Sequence, residues 1–226
     1  MQDRKNQTGR FLQRVEKKPV DSVAITLDAP YGGGKTTAFW KWMNDVASGG
    51  NKVLFISLEE HPASVLYQEK FQKYIDPQNY DHLDDVGEIE NKQELYDLVS
   101  GYDAVFIDSW QKLLEQVGRN FRFDRDLRKK FDGKMFFVIF QRTTTGKMRG
   151  GADTAFDGDI IVKIEKGDDF AQNFAWQDKN RYTMVPIHTI KYNIARCKTY
   201  IEGHNDQEIE PKPENHDSIL DSPVIS

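Results

Sequence analysis

Ala29-Pro30-Tyr31-Gly32-Gly33-Gly34-Lys35-Thr36-Thr37 is the stretch on which the reading of this chain turns. An apolar run, Val23-Ala24-Ile25-Thr26-Leu27, precedes it, and a helix-forming segment follows. Strand, small-residue turn and helix in that order make the setting of a phosphate-binding loop. Small residues let backbone N–H groups turn inward onto phosphate oxygens. The N-terminal end of the helix offers its positive dipole end to the same anion. In that reading Lys35 reaches the terminal phosphates and the Thr36 hydroxyl holds a magnesium ion. Ala29 stands where the usual pattern has its first glycine, whereas Gly34-Lys35-Thr36, the chemically demanding part, is intact. The alternative is a glycine-rich turn that happens to precede a lysine.

A chain of 226 residues suffices for one α/β domain with a substantial core. The start, Met1-Gln2-Asp3-Arg4-Lys5-Asn6, has no apolar segment behind it, so no signal peptide is expected. The longest apolar run, Met135–Phe140, is too short to cross a bilayer, and no membrane partner is expected. Cys197 is the one cysteine, which excludes an intrachain disulfide and a cysteine-based zinc site. A cytoplasmic compartment is the default expectation.

Charge is unevenly spread. Residues 203–226 carry Asp206, Glu208, Glu210, Glu214, Asp217 and Asp221 against Lys212, and account for the net charge of −5. That acidic tail is also rich in Pro, Asn and Ser and is expected to be disordered. Residues 1–20 read as a basic N-terminal arm, leaving 21–202 as the folded domain. Within it, 119–149 hold ten bases, among them Arg122 and Arg125, against Asp124, Asp126 and Asp132. Such a patch is either a solvated face or the footprint of a polyanion.

Alternating strands and helices follow from the apolar spacing. Strands are expected at about 22–28, 52–57, 82–86, 102–108 and 134–140. Helices are expected at about 35–48, from Pro62 to 74, at 91–99, and in a polar zone over 110–132. Four late strands, 159–165, 172–178, 184–191 and 194–201, close the chain. The expectation is an α/β fold with a mostly parallel twisted sheet flanked by helices, and an antiparallel C-terminal extension. Ligands sit at the carboxyl ends of such strands, where every motif is expected to gather.

Glu59 follows the strand ending at Ser57, where a carboxylate can orient and deprotonate a water. Equally, Glu59 and Glu60 can cap the helix beginning near Pro62. Asp108 ends Ala104-Val105-Phe106-Ile107, the place of a carboxylate that holds magnesium. Gln141 ends the next strand, placed to sense a terminal phosphate. The following loop carries Arg142, Thr143, Thr144, Lys147 and Arg149 and suits a nucleic-acid backbone, or is a plain long surface loop. Lys179 and Arg181 lie on an apparent edge strand, as trans-acting cations or as charges guarding the edge.

With Tyr31–Thr37, Phe55-Ile56-Ser57-Leu58-Glu59-Glu60, Val105-Phe106-Ile107-Asp108-Ser109-Trp110-Gln111 and Lys179-Asn180-Arg181-Tyr182 in order, the chain resembles RecA-like P-loop NTPases. The resemblance is greatest to the RadA/Sms branch and DnaB-type helicase cores, over roughly 20–200. It implies an ATP- and Mg2+-dependent ATPase acting on single-stranded DNA in replication, recombination or repair. It makes Glu59 the catalytic glutamate, Asp108 the magnesium-site acid and Gln141 the switch. Lys179 and Arg181 become trans-acting residues in a hexameric ring or filament. It makes 142–151 a DNA-facing loop with 112–130 near a second one. The acidic tail either mimics DNA and competes for the 119–149 patch, recruits a replication or recombination protein, or is an inert solvating tail. The RadA zinc module and protease-like domain are missing, as is the DnaB N-terminal domain, so a bare phage or mobile-element form is expected. Two other classes remain. A nucleoside-type kinase would usually have an acid after Asp108, where Ser109 stands; a helicase loader would bind nucleotide without turnover.

Overall fold

The computed structural model describes residues 22–141, 158–183 and 187–201. The arm at 1–20, the tail at 203–226, and Arg142, Thr143, Thr144, Lys147 and Arg149 lie outside those residues. Nine strands form one sheet: β1 (Val23–Ala29), β2 (Val53–Ser57), β3 (Leu83–Val86), β4 (Ala104–Asp108), β5 (Met135–Gln141), β6 (Ile160–Glu165), β7 (Phe174–Asn180), β8 (Ile190–Asn193) and β9 (Lys198–Ile201). Their spatial order is β3-β2-β4-β5-β1-β6-β7-β8-β9. Strands β3 to β6 of that order run parallel, and β7, β8 and β9 continue antiparallel. The expected mixed sheet is therefore present.

The central strands are apolar almost throughout because helices cover both faces. Alternate residues serve opposite cores. Val53, Phe55, Ala104, Phe106, Phe137 and Ile139 face α1 (Lys35–Ser48) and α2 (Val65–Tyr74). Leu54, Ile56, Val105, Ile107, Phe136 and Val138 face α3 (Lys92–Ser100) and α4 (Trp110–Val117). Phe106 is a keystone of the first core. Its ring stacks on Phe137 at 4.1 Å and meets Phe39 edge-on at 5.2 Å.

Four local expectations are corrected. Pro62 precedes α2 instead of opening it; Ser64 is the N-cap and accepts from the Tyr67 N–H. The zone 110–132 is not one polar helix. It holds α4 and a π-helical turn over Phe123–Arg128, which bury Trp110, Leu113, Val117, Phe123 and Leu127. Gly118, at φ +103, separates them. The strand expected over 184–191 falls later, at β8. Finally, β7 lies between β6 and β8 and is no edge strand, although its pairing with β8 covers only Phe174–Trp176.

Phe106→Leu should destabilise the protein by about 1 kcal/mol and Phe106→Ala by ~3–5 kcal/mol, because a fully buried ring leaves a cavity. Urea unfolding with unchanged m-values is the check.

Candidate functional site at the carboxyl edge of the sheet

Register brings the sequence motifs together. Ala29 at the end of β1 pairs with Gln141 at the end of β5. Ser57 at the end of β2 pairs with Asp108 at the end of β4. The turn Pro30–Gly34 leaves β1 and enters α1 at Lys35. Gly34 has φ +92, and a side-chain carbon there would lie 2.6 Å from Ile194 and 3.0 Å from Phe170. Glycine is needed at that position on both counts. Tyr31 projects from the loop, 91% exposed.

The Thr36 hydroxyl donates to Asp108 Oδ2 at 3.0 Å. Next along the chain, the Ser109 hydroxyl donates to Glu59 Oε1 at 2.7 Å. The Leu58 N–H bonds the Asp108 carbonyl at 2.8 Å, tying the Glu59 segment to β4. Lys35, Thr36, Asp108, Ser109 and Glu59 thus form one cluster. Glu60 instead pairs with Lys70 at 2.7 Å. Since Ser64 caps α2, the capping reading of the two glutamates is not what is seen. Thr37 lies in the first turn of α1 and Gln141 at the end of the β5 backbone.

Asp108 is buried, 3% exposed, and its carboxyl is raised to about 6. Loss of water is the main cause, and the Glu59 charge adds to it; Lys35 and the Thr36 hydrogen bond act the other way. Its Oδ1 has no hydrogen-bond partner among the described residues. An orphaned buried carboxylate oxygen beside a threonine hydroxyl is a hard-oxygen donor set, which fits Mg2+. Thr36 and Asp108 are the residues that would hold such an ion, directly or through water. No group of three or more His, Cys, Asp or Glu side chains gathers elsewhere among the described residues to hold a metal.

Lys179 and Arg181 are not part of this cluster. Because β7 runs against β6, its end lies beside the start of β6, where Ile160 pairs with Asn180. Both cations therefore sit at the opposite edge of the sheet, correcting the expectation that every motif shares one edge. Seven-residue β1 separates the two edges by about 20 Å. There Lys179 Nζ donates to the Gly158 carbonyl at 2.7 Å, and Arg181 Nη1 pairs with Asp159 at 3.1 Å. Asp159 also accepts from the Ala24 N–H and pairs with Arg128 at 2.9 Å.

The basic zone is largely engaged within the chain. Arg125 bonds Asp126 and the Asn120 carbonyl, and Lys129 pairs with Asp124. Lys130 lies over the Tyr96 ring, and Lys134 donates to the Ser100 and Tyr102 carbonyls. Arg119 and Arg122 are exposed and have no side-chain partner among the described residues. The sequence reading placed Ser109 in a motif without giving it a role, and did not single out Asn173. Asn173, far along the chain, bonds the phosphate loop itself. Serine after the strand-ending aspartate was visible, but nothing in spacing alone linked Asn173 to the loop.

No family model matches the chain, and no curated protein matches its sequence. Solved structures do match in fold. The KaiC-like protein PH0186 from Pyrococcus horikoshii OT3 superposes with TM-score 0.59 at 17% identity, covering 80% of this chain and 89% of that one. The RadB recombinase superposes with TM-score 0.52 at 18% identity, covering 78% and 88%. A DnaB-like replicative helicase gives TM-score 0.56 at 13% identity, covering 79% of this chain and 56% of that one. The chain has the RecA-like P-loop NTPase fold. No helix among the described residues is long and apolar enough to cross a membrane.

Burial of Asp108 has a sign. Its folded-state value lies above that of an unfolded aspartate, so the folded protein binds the proton more tightly. Stability is lost as pH rises from about 4 through about 6. Without nucleotide, Asp108→Asn should therefore raise stability at pH 7.5 by up to about 3 kcal/mol, the gain fading below pH 6 and vanishing near pH 4. Thermal unfolding of both proteins across pH checks this.

Proposed function

We propose that this protein is an ATPase whose nucleotide is bound at 29–37 and cleaved between subunits of a ring or filament on single-stranded DNA. The observation that carries the reading is the cluster of Lys35, Thr36, Asp108, Ser109 and Glu59 at one sheet edge. In this reading loop N–H groups and Lys35 hold the triphosphate, and Thr36 and Asp108 hold Mg2+, which would neutralise phosphate charge when bound. Glu59, steadied by Ser109, orients the attacking water and takes its proton. Gln141 reports the state of the terminal phosphate to the segment after β5.

Lys179 and Arg181 fit this scheme only in trans. Their edge of the sheet is too remote from the same chain's loop, so they would serve a neighbour's nucleotide. DNA contacts are assigned to Arg142, Thr143, Thr144, Lys147 and Arg149, and to Arg122 and Arg125. Of those two, Arg122 is the better candidate, because Arg125 is already bonded to Asp126. The recombinase and helicase likenesses support a DNA-linked motor. The acidic tail is proposed to recruit a replication or recombination protein. A phage or mobile-element origin and a cytoplasmic site of action go with this reading. The fold alone does not require DNA, so a second reading is a RecA-like ATPase that does not use it.

Lys35→Ala and Glu59→Gln should each lower ATP turnover by about 10²-fold or more. Single-stranded DNA should raise turnover at low salt; indifference to DNA would favour the second reading. Lys35→Ala and Arg181→Ala proteins, each inactive, should regain activity when mixed in equal amounts. About a quarter of randomly mixed interfaces pair an intact loop with an intact arginine. Absence of recovery from variants that still co-assemble would reject action in trans.

A further inference from the structure

We infer that Asn173 is a positioning residue that holds the phosphate loop in its anion-binding shape, an inference that rests on the nucleotide reading of 29–37. Asn173 lies just before β7, about 140 residues from the loop it touches, and is 1% exposed. Its Nδ2 donates to the Gly33 carbonyl at 3.2 Å and approaches the Gly32 carbonyl at 3.5 Å. Its Oδ1 accepts from the Gly167 N–H at 3.0 Å. A backbone N–H can only donate, so the amide orientation is settled: Nδ2 must face the loop. The Asn173 backbone is itself fixed, its N–H bonded to the Phe170 carbonyl and its carbonyl to the Ile194 N–H.

A peptide plane carries its N–H and C=O on opposite sides. Drawing the Gly32 and Gly33 carbonyls onto Asn173 turns the following N–H groups away from it: that of Gly33 closes a turn onto the Pro30 carbonyl at 3.1 Å, and that of Gly34 is left for an anion. An anion cradle needs that polarity. Three consecutive glycines do not impose it themselves, because glycine visits both signs of φ with little preference. The segments after β6 and after β8 close on the same loop. Phe170 and Ile194 pack against Gly34, and the Lys166 ammonium lies 3.5 Å from where a side-chain carbon of Gly32 would be.

Asn173→Asp is the discriminating variant, since it keeps the shape and the acceptor for Gly167 but sets an oxygen against two carbonyls. Nucleotide affinity, read with a fluorescent ATP analogue in the full chain, should fall at least about tenfold at pH 8, and about threefold to tenfold in Asn173→Ala. Measured against wild type at the same pH, acidification should partly restore the aspartate variant, because a protonated carboxyl donates again, and should leave the alanine variant's deficit unchanged. Binding within twofold of the wild type for both variants would overturn the proposal. So would affinity loss that follows loss of unliganded thermal stability and is unrelieved by acid. Should neither variant fold, hydrogen exchange in the wild type decides. Residues 166–173 and 30–36 should gain protection together on ATP addition; protection of 30–36 alone would refute the coupling. If wild-type protein binds no nucleotide, the reading of the loop fails, a result distinct from normal binding by the variants.

Discussion

Asp108 ends a strand covered on both faces, and among the described residues its carboxylate accepts one hydrogen bond, from the Thr36 hydroxyl. Everything else at the site is arranged around that buried charge. Thr36 opens α1, so the hydrogen bond fixes the helix start against β4. Ser109 then hands the same strand end on to Glu59. The second carboxylate raises the cost of ionising the first. A site held this way is under tension without a cation, and the orphaned Oδ1 marks where the tension would be relieved. In the proposed reading, stability is given up here for a function that needs charge in a dry place.

Strand direction divides the remaining chemistry. The motifs after β1, β2, β4 and β5 meet because those strands are parallel and level. Lys179 and Arg181 belong to a strand running the other way, so the fold itself carries them to the far edge. There Asp159 ties Arg181 to Arg128 and to the backbone of β1. Arg181 stays half exposed while so anchored, with a side-chain exposure of 56%. A cation held in place yet open to solvent suits the use proposed for it, on a neighbouring chain. Its pairing with Asp159 would also serve as a simple structural tie, and the mixing experiment separates the two.

Much of this was legible in the sequence, for identifiable reasons. Apolar runs such as Val53–Ser57 and Ala104–Asp108 read as doubly covered strands, the first ending two residues before Glu59 and the second at Asp108. Helix α1 could be read from Lys35 to Ser48 because the glycine loop opens it and Gly49-Gly50 closes it. Between 110 and 132 the reading weakened, since charged residues alternate with buried aromatics. Phe121 and Phe123 pack on Trp110, and that packing, invisible in local polarity, sets the path. The far-edge location of Lys179 and Arg181 depended on counting strand reversals, which the motif pattern does not encode. The charge excess of 119–149 already sets Asp124, Asp126 and Asp132 against the bases; Asp159, from outside the zone, pairs with Arg128 and offsets one further charge.

The glycine loop poses the last question of design. Gly32, Gly33 and Gly34 give the backbone freedom to approach an anion closely, and that same freedom favours many shapes unable to bind one. Strand β1 anchors one end of the loop and α1 the other, but neither reaches the middle. The antiparallel extension does. It brings Asn173, Phe170 and Ile194 against the loop as one bonded group, so that the loop is braced by residues far along the chain. On this view the late strands are no mere enlargement of the sheet. They complete the phosphate site, which the strand–loop–helix unit alone would leave loosely formed.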